Sequence, residues 1–216
     1  MASIPFADPE EYRKQFGSAA ERNKLPILEA LKGQVTKERG KALELASGIG
    51  THVSCFAENF PGWTFQPSDV DPVHVELVAE RTRHLQNVLP PIVLDVSSDH
   101  WAGSLNDEYD VVIVSNLLHV AGWQVSIGLF HGCSRVLKTG GLLFIYGPFK
   151  RNGTYNADSN KKFDEFLKSR NPEFGLKDID DLERLAHGCK FSLSHIIDMP
   201  ANNYIVVFRK TSHISP

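Results

Sequence analysis

Cysteine is scarce in this chain and nowhere paired. The three residues Cys55, Cys133 and Cys189 are odd in number and far apart, and no Cys-x-x-Cys occurs. A disulfide framework is thereby excluded, and reduced thiols in a cytoplasmic protein are expected. No window approaches 18 consecutive apolar residues, so no membrane span is expected. The opening residues, Met-Ala-Ser-Ile-Pro-Phe-Ala-Asp, have neither a basic stretch nor a long apolar run, and no secretory signal is evident. An excess of positive charge is also missing. With 23 Lys and Arg against 26 Asp and Glu the net charge is −3, which offers nothing to nucleic acid or to an anionic membrane. Repeats, low-complexity tracts and linkers are absent, so the 216 residues are expected to form a single domain with a sizeable core. No metal site is expected.

What is present begins at Ala42-Leu-Glu-Leu-Ala-Ser-Gly-Ile-Gly-Thr-His52. This reads as a short apolar strand carrying one acid, a small-residue loop, and a helix start. Gly48 and Gly50 permit positive φ and close approach of a ligand to the main chain. The amides at the helix start favour an anionic or electron-rich group. Glu44 reverses that polarity, because a carboxylate there would repel a pyrophosphate and attract a cation. Asp69 follows Gly50 by 19 positions, near the roughly 20-residue offset at which an acid takes ribose hydroxyls in dinucleotide folds. A third apolar run, Pro91–Asp95, again ends in an acid, suited to an adenine amine. A nucleotide-like cofactor with a positive charge and an amino acid end fits these acids, and S-adenosylmethionine has both features.

Apolar runs and helical patterns alternate along the chain. Strands are expected near Lys41–Leu45, Thr64–Pro67, Ile92–Asp95, Asp110–Ser115 and Leu142–Tyr146, with a turn at Lys138–Gly141. Helices are expected near Ala19–Leu31, Thr51–Asn59, Pro72–Gln86, Val125–Leu137, Ser159–Arg170 and Ile179–His187. The last two strands, Phe191–Met199 and Tyr204–Arg209, flank the turn residues Pro200–Asn203 and form an antiparallel hairpin. The expectation is an α/β protein with a doubly wound, mostly parallel seven-stranded sheet ending in that hairpin. Residues 1–35 would form an N-terminal helical cap, and 147–190 a polar helical insert.

A resemblance covers nearly the whole chain. Its segments are Ala19-Ala-Glu-Arg-Asn-Lys24 with Pro26-Ile27, Ala46-Ser-Gly48, Gln66-Pro-Ser-Asp-Val-Asp71, Tyr146-Gly-Pro148, Arg170–Gly175 and Met199–Asn203. In these the chain resembles class I S-adenosylmethionine-dependent methyltransferases, and most of all the small group containing methyltransferase-like protein 26. The resemblance implies the fold and the cofactor, with S-adenosylhomocysteine as product. It implies that Glu44 is the first-strand acid, that Ser47 and Gly48 pass under the amino acid end, and that Asp69 binds ribose with Val70 beside the adenine. By the same resemblance Asp95 and the Val96 amide hold the adenine edge, and Ser115 and Asn116 line the methionine moiety.

For the acceptor side, His119 is a candidate general base or a hydrogen-bonded residue just behind the site. Tyr146 is a candidate catalytic hydroxyl or a packed aromatic. Arg22, Asn23, Asn202 and Asn203 are candidate substrate ligands, or else helix-surface and turn residues. Ligands of open α/β sheets bind outside the carboxyl ends of the strands, where these residues should gather. The expected reaction is direct methyl transfer to a small molecule. Two alternatives stand beside it: a catalytically silent cofactor-binding protein acting through a partner, and an NAD(P)-dependent oxidoreductase. The latter is disfavoured by Val53, which stands where Gly-x-Gly-x-x-Gly needs its third glycine.

Overall fold

The computed structural model describes residues 9–105 and 108–212. Its strands are β1 (Gly40–Leu45), β2 (Trp63–Asp69), β3 (Ile92–Val93), β4 (Tyr109–Ser115), β5 (Leu137–Gly147), β6 (Phe191–Met199) and β7 (Asn203–Lys210). They form one seven-stranded sheet in the order β3-β2-β1-β4-β5-β7-β6. β1 pairs in parallel with β2 and β4, β2 with β3, and β4 with β5. β7 lies antiparallel between β5 and β6, which makes the terminal hairpin.

The central strands are apolar throughout because helices cover both faces. Alternate residues feed alternate cores. Leu43, Leu45, Val112, Val114, Leu143 and Ile145 pack on the side of α4 (Trp123–Val136) and α6 (Ile179–Gly188). Ala42, Val111, Ile113, Phe144 and Val207 pack on the side of α1 (Pro9–Gln34), α2 (Thr51–Asn59) and α3 (Pro72–Thr82). Asp71 caps α3, its carboxylate accepting from the Val73 amide. α4 presses close to the loop after β3. A Cβ on Gly128 would stand 2.0 Å from the Val96 carbonyl, and one on Gly132 2.0 Å from the Trp101 ring.

Several boundaries differ from the sequence expectation. α1 begins at Pro9 rather than near Ala19, and residues 1–8 of the expected cap lie outside the described residues. α3 stops at Thr82 rather than Gln86, because the chain turns so that the Asn87 side-chain amide can serve the carbonyls of Ala57, Phe60 and Trp63. β3 stops at Val93, leaving Asp95 in the following loop. Lys138–Gly141 is not a turn between elements. It belongs to β5, where a register shift against β4 and the left-handed Gly140 absorb the irregularity. Within 147–190, α5 (Asp158–Arg170) is the polar helix, whereas α6 buries Ile179, Leu182 and Ala186 in the core. Among the described residues no helix is long and apolar enough to cross a membrane.

Candidate cofactor and acceptor site

The chain leaves the carboxyl edge of the sheet under backbone strain. Ala46, just past β1, and Asn116, just past β4, are non-glycine residues at φ of 56° and 57°. Such left-handed conformations cost of order 1–3 kcal/mol and cluster at functional sites. Gly48 and Gly50 continue the turn at φ of 56° and 77°. The loop is pinned to β2 in both directions: Ser47 N donates to Ser68 O, and Ser68 N donates to Ser47 Oγ. Gly50 brings α2 against α3, since a Cβ there would meet the Val78 backbone at 3.3 Å.

Beneath this loop lies Glu44, 2 % exposed, with neither carboxylate oxygen hydrogen-bonded. Burial pushes its carboxyl up to about 8; the nearby Ser47 hydroxyl offsets this in part, without reaching hydrogen-bond geometry, and the Asp69 charge adds to it. Of the three hydroxyls also buried without partners among the described residues, Ser126 Oγ lies within α4 and two lie here, Ser115 Oγ at the end of β4 and Thr51 Oγ1 at the start of α2. Buried polar groups are ordinarily paired, so three orphans on neighbouring elements mark a place shaped for something else.

Asp69 ends β2 and is well partnered. Its Oδ2 accepts from the Gly48 amide at 2.8 Å, and its Oδ1 lies 3.1 Å from both the Asp71 amide and His74 Nδ1. An ionised carboxylate offers about four lone-pair positions, so capacity for one more donor remains. The side chain therefore also braces the glycine loop, a role the sequence did not suggest. Asp95 Oδ1 accepts from the Ser97 amide and hydroxyl. Val96 is buried in the core, while Val70 and Val93 stand exposed at the ends of β2 and β3.

On the acceptor side the expected residues divide. Tyr146, at the carboxyl end of β5, points toward α1 and is 4 % exposed. Burial raises its hydroxyl pKa, and the Asn23 and Asn203 side chains and the Arg22 charge close beside it work in the opposite sense. Arg22, Asn23, Tyr146 and Asn203 are thus brought together from α1, β5 and β7. Pro26 helps, because it has no amide to donate to the Arg22 carbonyl and breaks the helical bonding at that turn. Asn202 is turned away: its side chain donates to Ser159, and its carbonyl accepts from Asn156 and Asn160. His119 also stands apart. Its Nδ1 lies 3.6 Å from where a Gly147 Cβ would be, on the face opposite to Tyr146, and its ring packs against Phe163 at 5.6 Å. Burial, helped by the Lys177 charge, lowers its pKa to about 4, so the ring is neutral.

One residue of the site escaped the sequence reading. His52 lies two positions past Gly50, is buried, and is held neutral near pKa 4 chiefly by burial. Protonated at Nε2, it donates to Asn23 Oδ1 at 2.7 Å, leaving the Asn23 amide group free to face Tyr146. Its place at the head of α2, directly after the glycine loop, is the signal that could have found it. A groove of about 720 Å³ lies between α1 and α3 beside Ile49, lined by Glu21, Arg81 and Arg83. It flanks the loop and contains none of the orphaned groups.

Fold and edge define a class. The chain has the class I methyltransferase architecture, and it superposes on several solved methyltransferases. An O-methyltransferase family protein from Burkholderia thailandensis matches with a TM-score of 0.78 at 15 % identity, over 96 % of this chain and 62 % of the other. Human N-acetylserotonin methyltransferase, solved with S-adenosylmethionine, gives 0.77 at 14 % identity, covering 96 % and 58 %. CalO1, a methyltransferase of calicheamicin biosynthesis solved with S-adenosylhomocysteine, gives 0.74 at 17 % identity, covering 93 % and 56 %. The chain spans about three-fifths of the length of these structures. Within the fold, residues 14–210 match the family described as protein of unknown function DUF938, and the chain belongs to that family.

Proposed function

We propose that this protein binds S-adenosylmethionine at the carboxyl edge of β1, β2 and β4 and catalyses methyl transfer to a small molecule. Glu44 is the observation that carries the reading. A buried carboxylate with no partner is costly unless a cation meets it, and an ammonium group on a ligand seated under the glycine loop would do so. Ser115 and Asn116 would line the same amino acid end, with Ser47, Gly48 and Gly50 above it. Asp69 has one acceptor position left for a ribose hydroxyl. Val70 and Val93 offer apolar surface to a planar base, and Asp95 with the Val96 amide its edge. When bound, the cofactor supplies an electrophilic methyl group on a sulfonium.

The chain's own contribution is alignment and exclusion of water. Tyr146, steadied by Asn23 and Asn203, orients the acceptor, while Asn202 holds the β6–β7 turn against α5. His119, neutral and packed against Phe163, would serve as base only for an acceptor reaching the α5 side of the edge. Titration calorimetry tests the cofactor directly. S-adenosylhomocysteine should bind and NAD and NADP should not; the reverse result overturns the reading. We assign the protein to the group of methyltransferase-like protein 26, and to the cytoplasm, where its buried cysteines stay reduced.

A further inference from the structure

The turn that leaves β2 fills one oxygen of its terminal acid. Asp69 Oδ1 lies 3.1 Å from the Asp71 amide and 3.1 Å from His74 Nδ1. The first bond is local: it bends the chain from β2 into the cap of α3, where Asp71 in turn accepts from the Val73 amide. The second comes from the first turn of α3. A carboxylate has no proton to give, so Nδ1 is the ring nitrogen that carries hydrogen. Asp69 Oδ2 accepts from the Gly48 amide at 2.8 Å and, among the described residues, from nothing else. Each carboxylate oxygen has about two acceptor positions. Oδ1 is therefore saturated, and the remaining position belongs to Oδ2. Both side chains of the Asp69–His74 pair are largely covered, which packs the pair in place.

We propose that His74 makes recognition of the cofactor's ribose one-sided: one of the two neighbouring hydroxyls donates to Asp69 Oδ2, and the imidazole keeps the other off the carboxylate. The inference rests on the cofactor reading and adds a residue and a specificity to it. Two neighbouring hydroxyls could otherwise engage both oxygens of one carboxylate, as the two N–H groups of a guanidinium do. The Asp71 amide alone would leave Oδ1 a position for the second hydroxyl, and His74 takes that position. A hydroxyl that displaced the ring would exchange one bond to the carboxylate for another and strip a covered N–H of its acceptor, which is costly. The Gly48 amide sits on the oxygen that keeps a vacancy, so the brace on the glycine loop and one ribose bond coexist. His74 is a positioning residue in this scheme, acting through Asp69.

The test is calorimetry on the full chain with S-adenosylhomocysteine and its 2′-deoxy and 3′-deoxy analogues. The unaltered protein should lose about tenfold or more in affinity for one deoxy analogue and less than about threefold for the other. His74→Ala opens Oδ1, so removing the formerly silent hydroxyl should then cost about tenfold as well. His74→Asn places an amide donor where Nδ1 stood and should restore the one-sided pattern. Equal affinities, or equal losses, for the two deoxy analogues in the unaltered protein overturn the inference. So does a His74→Ala protein that weakens all three ligands alike, the mark of a purely structural histidine. The first comparison needs no variant and stands even if His74→Ala does not fold. Failure of the unaltered protein to bind S-adenosylhomocysteine at all is a separate result and overturns the cofactor reading instead.

Discussion

Two buried carboxylates sit at opposite ends of the central strands and are treated in opposite ways. Asp110, at the amino edge of β4, accepts from Lys37 Nζ at 2.6 Å, Lys138 Nζ at 2.9 Å and the Lys41 amide at 3.0 Å. Burial opposes its ionisation, yet these three donors hold its pKa near 2. It is covered but lies near the rim, where the two lysines stay partly exposed. Glu44, at the carboxyl edge of the neighbouring β1, has no donor and a pKa near 8. One edge of the sheet is complete in itself, and the other lacks a partner. That asymmetry separates a structural acid from a binding acid more sharply than burial, which is nearly the same for both.

Removing each acid should therefore have a different consequence. Glu44→Gln should cost S-adenosylhomocysteine binding about 1.5–3 kcal/mol, a factor of roughly ten to a hundred or more, as expected for a lost bond to a charged group. At neutral pH the buried carboxyl is protonated, so the amide replaces one neutral group by another. Thermal stability should match that of the unaltered protein below pH 4.5 and exceed it increasingly as pH rises toward 8, as the unfolded carboxyl ionises. Calorimetry and thermal melts on the same variant check both halves. An unstable Glu44→Gln variant of unchanged affinity would reverse the roles argued for the two acids.

Asp110→Ala is the converse. It strips the half-buried Lys41 amide of its Asp110 acceptor and should lower stability by about 1–3 kcal/mol, read from the denaturant midpoint at constant slope. Ligand affinity should not move, since the site lies at the other end of the strands. A parallel loss of affinity would mean that the two edges are coupled.

The pH dependence of folding runs in opposite directions for the two acids. Asp110 has its pKa lowered from 3.8 to about 2, so its contribution is present above pH 4 and is lost as pH falls toward 2. Glu44 has its pKa raised from 4.5 to about 8, so stability declines as pH rises between those values, by about 1.4 kcal/mol per unit. His52 and His119, both lowered to about 4, oppose this decline below pH 6.5, because there the unfolded chain binds their protons. His74, whose pKa is raised, adds to the decline above it. The Glu44 contribution is isolated by the difference between the unaltered protein and Glu44→Gln from pH 6.5 to 8. A flat difference there would place the Glu44 titration elsewhere. Binding of an ammonium ligand should release a proton near pH 7, visible as a dependence of calorimetric heat on buffer ionisation.

Much of this architecture was legible in the residues. β1, β4 and the apolar half of β5 are runs that only a sheet covered on both faces would bury, and Glu44 stood out as the acid inside β1. What escaped depends on contacts between distant elements. Asn87 ends α3 by binding carbonyls from α2, the loop after it and the first residue of β2, which no local pattern announces. Lys138–Gly141 has turn chemistry and is still carried within β5, because β4 accommodates its bulge. Nothing local around Gly128 and Gly132 announces that the Val96 carbonyl and the Trp101 ring occupy the space of their missing side chains. In the site, Asn23 was visible but its partner His52 was not, since their contact requires α1 to lie on α2. Asn202 is a candidate ligand in the sequence because the final hairpin can cover the carboxyl edge. Its tie to Ser159 of α5 is a long-range bond that the turn sequence does not encode.

The smallest effect contrasts two serines on the strands flanking β1. Ser68, on β2, donates its hydroxyl to the Glu44 carbonyl at 2.8 Å, a buried neutral bond whose loss in Ser68→Ala should cost about 1 kcal/mol of stability. Ser115, on β4, has a buried hydroxyl bonded to nothing. Ser115→Ala removes an unsatisfied polar atom and one small volume, so its stability should change by no more than about 0.5 kcal/mol. If that hydroxyl is reserved for a ligand, the same variant should bind S-adenosylhomocysteine more weakly by about 0.5–1.5 kcal/mol. Paired denaturation and calorimetry on the two variants decide it. A Ser115→Ala protein that loses stability while keeping its affinity would show that the hydroxyl has a partner within the protein, and the carboxyl edge would then be less incomplete than the Glu44 carboxylate implies.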